Sequence, residues 1–317
     1  MRNYTLLARA KINLYLEILG DRPDGYHELV MIMQSINLAD KIELHPNGLQ
    51  EFRIFCTDPQ VPCDTTNLAY RAALLMQTKY PQAWENYGGV DITIHKRIPV
   101  AAGLAGGSAN GAAVLVGLDL IWKLGLTQPE IETLAALLGS DVPFCVGGGT
   151  AIATGRGEKL APIPDLEDLW VVLGKYNQLS VSTPWAYTSY RQKFADGYIK
   201  DFQKLQYHGA RIHSSSLVQA IAHKDVQKIG QYLHNDLEKI VLPEYTLVAE
   251  LKEIMAKAGG LGTMMSGSGP TVFTLCASEN EAQAILEKTR QTLTDSDLRL
   301  WIAPLSSQGI TIVTEGK

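Results

Sequence analysis

The chain has 317 residues, with 28 Lys plus Arg against 33 Asp plus Glu and a formal net charge of -5. Hydrophobic residues make up 46% and charged residues 19%, which excludes disorder for most of the length and suits one large domain or two ordinary ones. A mildly acidic total without runs of like charge gives no footprint for nucleic acid or for an anionic membrane surface.

From the N-terminus, residues 10–19 alternate Ile12, Leu14, Leu16 and Ile18 with Lys11, Asn13, Tyr15 and Glu17, the pattern of a half-buried strand. Turn chemistry at 21–25 precedes further strands at 29–33, 41–44 and 52–55. A helix is predicted over 67–80, stopped by Pro81, and a strand over 90–94. Residues 109–124 carry the helical stripe Ala112, Leu115, Leu118 and Trp122, and a second helix follows from Pro129 to Leu138. A small-residue strand at 150–154 leads into a polar segment at 157–167, where the boundary is expected between domains 1–160 and 161–317.

The second half opens with a strand at 169–173 and then becomes mostly helical. A helix at 243–258, a strand at 270–275, a helix at 279–293 and a strand at 298–302 predict an α+β domain of ferredoxin-like type. No stretch approaches the roughly 18 apolar residues of a membrane span, and the N-terminus has no sustained apolar segment. The expectation is a soluble, unexported protein, cytoplasmic or in a plastid stroma, and a monomer or weak homodimer. Cys56, Cys63, Cys145 and Cys276 have neither redox nor zinc-binding spacing and are expected to be reduced thiols.

Glycine is unevenly placed: positions 103–111, 147–157 and 259–269 hold 14 of the 28. The first cluster, Pro99-Val100-Ala101-Ala102-Gly103-Leu104-Ala105-Gly106-Gly107-Ser108-Ala109, lies between a strand and a helix. Free backbone N–H groups at a positive helix end make an anion site there, and phosphate is the natural ligand. Neither the P-loop nor the dinucleotide fingerprint is present. Taken singly, Ser108 reads equally as a helix N-cap, Asp141 as an N-cap before Pro143, and Lys11 as a solvated strand lysine.

The order of the motifs goes further. Pro-x-x-x-Gly-Leu-x-Gly-Gly-Ser resembles the second motif of the GHMP kinases, a superfamily of ATP-dependent small-molecule kinases. Met264-Met265-Ser266-Gly267-Ser268-Gly269-Pro270 resembles the third, and Ala8-Arg9-Ala10-Lys11-Ile12-Asn13-Leu14 the first. The resemblance spans the chain. It implies a two-domain α+β kinase fold, an N-terminal ATP-binding domain and a C-terminal ferredoxin-like domain with the active site in the cleft between them. ATP and Mg²⁺ are then expected, the 99–109 loop and Ser266, Gly267, Ser268 and Gly269 holding phosphates, with Ser108 on the metal side. Ala105 stands where many members have Gly, so negative φ is expected there. Gly139-Ser140-Asp141 resembles the segment that carries the family's catalytic Asp, which implies Asp141 as proton acceptor beside Lys11, with Asn13 orienting the acceptor.

Within the family, Asp21-Arg22-Pro23-Asp24-Gly25-Tyr26-His27, with Ser182-Thr183-Pro184-Trp185-Ala186-Tyr187, resembles one branch. Its substrate is methylerythritol linked to cytidine diphosphate, phosphorylated on the 2-hydroxyl in non-mevalonate isoprenoid synthesis. Tyr26 and Tyr187 would then stack on the cytosine, with His27, Thr183 and Pro184 completing its pocket. The alternatives are a homoserine- or mevalonate-type kinase, which leaves the Tyr26-His27 and Thr183-Pro184 segments without a role, and an inactive ligand-binding homologue. Lys96 and Arg97 are only candidates for the adenine pocket.

Overall fold

A computed structural model describes residues 2–313. The first half runs β1 (Tyr4–Asp21), β2 (His27–Pro46), β3 (Arg53–Cys56), α1 (Leu68–Lys79), α2 (Pro81–Tyr87) and β4 (Val90–His95). It continues with α3 (Gly106–Trp122), α4 (Gln128–Ala136), α5 (Val142–Gly147), β5 (Thr150–Gly155) and β6 (Lys159–Pro162). The second half holds β7 (Trp170–Tyr176), α6 (Thr183–Phe194), α7 (Phe202–Arg211), α8 (Ser216–Ala222), α9 (Val226–Gln231) and β8 (His234–Asn235). After these come α10 (Glu238–Glu244), α11 (Thr246–Ala258), β9 (Gly262–Met265), β10 (Val272–Cys276), α12 (Glu279–Thr292), β11 (Leu298–Ser306) and β12 (Ile310–Ile312).

β1 and β2 form one long antiparallel hairpin, from Tyr4 opposite Leu44 to Asp21 opposite His27. The predicted strands at 29–33 and 41–44 are two parts of β2, the first paired with β5 and the second with β4. β1 is buried on both sides at its centre: Lys11 is 4% exposed and Asn13 0%, where alternation predicted a solvated polar face. The polar side of β1 is not solvated because loops cover it: Lys11 N donates to the Leu104 carbonyl, Lys11 Nζ faces Asp141, and the Gly267 turn lies against Asn13 and Lys11.

The helical stripe of α3 is buried as its spacing requires, with Ala112, Leu115 and Leu118 packed against Leu6, Ile42 and Leu44 of the hairpin and against Met76 of α1. Pro81 begins α2 in addition to ending the preceding helix, as its fixed φ allows at a first helical position. The polar segment at 157–167 contains β6, which pairs with β5.

The second half has the antiparallel order β11-β7-β10-β9, with α11 and α12 supplying Leu251, Met255, Ile285 and Leu286 to the layer beneath. That is the β-α-β-β-α-β arrangement of a ferredoxin-like sandwich. Its short strand β9, only Gly262–Met265, had no readable pattern. The predicted helix at 243–258 is two helices, with Pro243 inside α10 and a break at Tyr245. The halves are stitched together: β8 and β12 both pair with β1, and β11 pairs with β2 at Leu305 opposite Ile36. A division at 160 is therefore crossed by three strands of the second half.

Candidate active site

The stitching brings separated segments of the chain to one cavity of about 760 Å³, lined among others by residues of β1, the 99–108 loop, α6 and the turn after β9. Lys11 reaches it from β1. Its Nζ donates to Asn13 Oδ1 at 2.6 Å and stands 3.5 Å from Asp141 Oδ2. Asp141 occupies the N-cap position of α5, yet its side chain makes no capping hydrogen bond. The carboxylate is instead beside Lys11, with 31% of the side chain exposed against 5% for the lysine.

The 99–108 loop turns back before α3. The expectation of negative φ at Ala105 is corrected: φ is 57° and ψ 28°, the left-handed region, so the methyl group is carried in a conformation that favours Gly. Ser108 is likewise not the N-cap, which is Ala105, but the third residue of the helix. No side chain caps α3, so its first N–H groups, on Gly106, Gly107 and Ser108, are available to an anion.

Gly103 is required by contact as well as by φ, +72°: a Cβ there would lie 2.3 Å from the Ser266 carbonyl oxygen. The two glycine loops touch at that point, and Ser266 Oγ donates to the Gly103 carbonyl at 3.1 Å. Asn235 of β8 holds the second loop by donating at 2.8 Å to the carbonyls of both Met265 and Gly267. A Cβ on Gly267 would lie 3.3 Å from Asn13 Oδ1 and 3.6 Å from Lys11 Nζ, so this loop also faces the ion pair.

At the other end of the cavity lie Tyr26, 52% exposed, and His27, 6% exposed. Arg156 lies over the Tyr26 ring at 5.1 Å, and the His27 ring is tilted against that of Tyr187 at 5.2 Å. Burial, then the Arg191 charge, lower the His27 pKa, opposed by Asp21, so the imidazole is kept neutral. Its Nε2 is buried with no hydrogen-bond partner. Burial raises the Tyr187 phenol, with the Asp141 charge adding to it. Thr183 Oγ1 is 2.8 Å from Ser268 Oγ, linking α6 to the glycine loop.

Of the residues singled out from sequence, Lys11, Asn13, Tyr26, His27, Pro99 to Gly103, Ala105 to Ser108, Asp141, Thr183, Pro184, Tyr187, Gly267 and Ser268 line the cavity. Leu104, Ala109, Ser266 and Gly269 do not line it. Leu104 and Ala109 are buried in the core, although the Leu104 carbonyl accepts from Lys11 N at 3.1 Å. Sequence reasoning missed Gln60, Val61, Asn67, Arg156 and Arg191, which also line it. Only Arg156 had a signal, its place in the second glycine cluster. Of the adenine candidates, Lys96 is in the wall and Arg97 is not. Lys96 Nζ is paired with the fully buried Asp40, while its backbone N–H donates to Thr57 Oγ1 at 3.0 Å, at the start of the segment that carries Gln60 and Val61.

Among the described residues no group of three or more His, Cys, Asp or Glu could hold a metal ion. Mg²⁺ is commonly held by one or two protein oxygens together with substrate phosphates. Ser108, in this wall, fits that mode of binding.

A ferredoxin-like half joined to an α/β hairpin half, with two touching glycine loops and a Lys–Asp pair between them, defines a small-molecule kinase. The chain belongs to the GHMP kinases, whose N terminal domain pattern matches residues 67–149 and whose C terminal pattern matches residues 217–295. Among its relatives, the 4-diphosphocytidyl-2-C-methyl-D-erythritol kinase of Gloeothece citriformis is 65% identical over 316 residues, covering 100% of both chains. That of Microcystis aeruginosa is 63% identical over 98% of this chain and 100% of its own. A crystal structure of 4-(cytidine 5'-diphospho)-2C-methyl-D-erythritol kinase superposes with a TM-score of 0.72 at 30% identity, over 95% of this chain and 98% of that one. Homoserine kinase from Cytophaga hutchinsonii shares the fold, at TM-score 0.73 and 17% identity over 99% of this chain and 98% of its own.

Proposed function

We propose that this protein transfers the γ-phosphoryl group of ATP to the 2-hydroxyl of 4-diphosphocytidyl-2-C-methyl-D-erythritol, the substrate named for its full-length relatives. The observation that carries it is the Lys11–Asp141 pair at 3.5 Å, set in a cavity with two glycine loops on one side and Tyr26, His27 and Tyr187 on the other. The glycine loops would take the ATP phosphates on backbone N–H groups, and the aromatic end would take the cytosine. The wall formed by Gln60, Val61 and Asn67 is left for the adenosine.

In the transfer, a bond forms between the acceptor oxygen and the γ-phosphorus, and the bond from that phosphorus to the bridging oxygen of ADP breaks. Asp141 receives the hydroxyl proton. The transition state is loose and the proton leaves late, so a well-placed carboxylate suffices although it is a weak base. Lys11, 3.5 Å from Asp141, faces the charge that shifts between phosphoryl oxygens. Asn13, held by Lys11, orients the acceptor. Mg²⁺, held on the Ser108 side, would neutralise phosphate charge when bound. The neutral His27 can accept from the exocyclic amine of cytosine or donate to its ring nitrogen, according to tautomer. Four free thiols at Cys56, Cys63, Cys145 and Cys276 support a reducing compartment such as the cytoplasm.

The test is ADP release measured in parallel with the cytidine substrate, homoserine and phosphomevalonate. Turnover confined to the cytidine substrate is expected. Turnover with homoserine alone would reassign the acceptor, and none with any of the three would favour an inactive binding protein.

A further inference from the structure

The turn between β1 and β2 carries Tyr26 and His27, and α6 reaches over it with Arg191. Arg191 Nε donates to Asp21 Oδ1 at 2.7 Å, and Nη2 donates to the Gly25 carbonyl at 3.2 Å. That same Asp21 oxygen is 3.6 Å from His27 Nε2. Asp21 thus stands between two nitrogen groups and gives its short contact to the arginine. The ring nitrogen of His27 is left buried and unpartnered. Such an atom is costly unless something else completes it, and His27 and Arg191 both line the cavity.

We propose that Arg191 is a positioning residue for the acceptor end of the site: it holds Asp21 off His27 and pins the Gly25 carbonyl, so that the buried His27 ring nitrogen is left without a protein partner and can pair with the base when the substrate binds. This rests on the cytidine assignment above. Among the described residues, the charged and titratable groups facing His27 are Asp21 of β1, Arg191 and Tyr187 of α6, and Tyr198 beyond α6. Of these only Asp21 can form an ion pair with the imidazole. Without the guanidinium, a small rotation would bring Asp21 onto Nε2, where it would compete with the base.

The experiment is steady-state kinetics on the full chain for the wild type, Arg191→Met, Arg191→Lys, Asp21→Ala and the double variant Asp21→Ala with Arg191→Met, with thermal unfolding as a control. Arg191→Met should raise KM for the cytidine substrate about tenfold, the effect of losing about one hydrogen bond, with kcat and the ATP KM little changed. Arg191→Lys keeps the contact to Asp21 and should raise KM less. The double variant should recover much of the loss, because the competitor for His27 is gone. An unchanged KM in Arg191→Met, a fall confined to kcat, or a double variant as weak as Arg191→Met would each overturn the assignment of Arg191 while leaving the substrate in place. Absence of wild-type turnover with the cytidine substrate would remove the substrate assignment, and this role of Arg191 with it.

Discussion

Lys11 Nζ stands 3.5 Å from Asp141 Oδ2 and 2.6 Å from Asn13 Oδ1, so one buried ammonium joins the middle of β1 to the N-terminal end of α5. Lys11→Ala or Asp141→Asn removes one member of that group. Either should lower kcat by about 10² to 10⁴, the range for a positioned acid–base or charge-stabilising group. ADP release under saturating substrates measures it, with unfolding curves to show that the fold persists. Near-normal turnover in either variant would sink the catalytic roles assigned to the pair.

Tyr26 is the exposed member of the aromatic end, with Arg156 over its ring. Tyr26→Ala should leave stability near that of the wild type and raise KM for the cytidine substrate. One base-stacking contact is worth about 1 to 3 kcal/mol, so the rise should be roughly five- to 150-fold. A change limited to the ATP KM would place the cytosine elsewhere.

Gly103 meets the Ser266 carbonyl at a distance that leaves no room for a methyl group. Gly103→Ala should therefore separate the two glycine loops and raise the ATP KM. It should also cost about 1 to 3 kcal/mol in stability, from positive φ and the clash together. Calorimetry and ATP titration give the two readouts. An alanine variant with wild-type Tm and ATP KM would show that the loops do not need to touch.

His27 has its pKa lowered from an ordinary value of 6.5, chiefly by burial. The unfolded chain then binds a proton more readily than the folded one as pH falls below about 6.5, so this group's contribution to stability is complete above that pH and declines below it. Stability measured from about pH 8 to about pH 5 should fall in the acid part of the range, and His27→Gln should flatten part of the fall. An identical pH dependence in the variant would show that His27 is not buried as a neutral ring.

The legible parts of the site were those built from local chemistry. Gly103, Gly106 and Gly107 answer to a backbone turn beside a helix end, and Ser266 to Gly269 to a second turn, so their spacing marks them wherever the rest of the chain goes. Lys11 and Asn13 were found on the correct strand, but their burial was not, because alternation reports a solvated face only when no loop folds over it, and here the 99–108 loop, Asp141 and the Gly267 turn do. Arg191 and Asn235 were not legible: one is a cation on a helix with ordinary spacing, and the other a two-residue strand whose pairing with β1 has no pattern of its own.

By itself, the sequence determined the glycine loops, the apolar stripe that seats α3, and the motif order that identifies the kinase family, since each follows from backbone freedom or periodicity within a few residues. The tertiary structure alone decided that Lys11 and Asn13 are buried, that Ala105 takes positive φ, and that Asp21 is held by Arg191 away from His27. Those outcomes depend on distances between groups far apart in the chain. They are set where the 99–108 loop, the turn after β9 and α6 meet the first hairpin, and no local pattern encodes them.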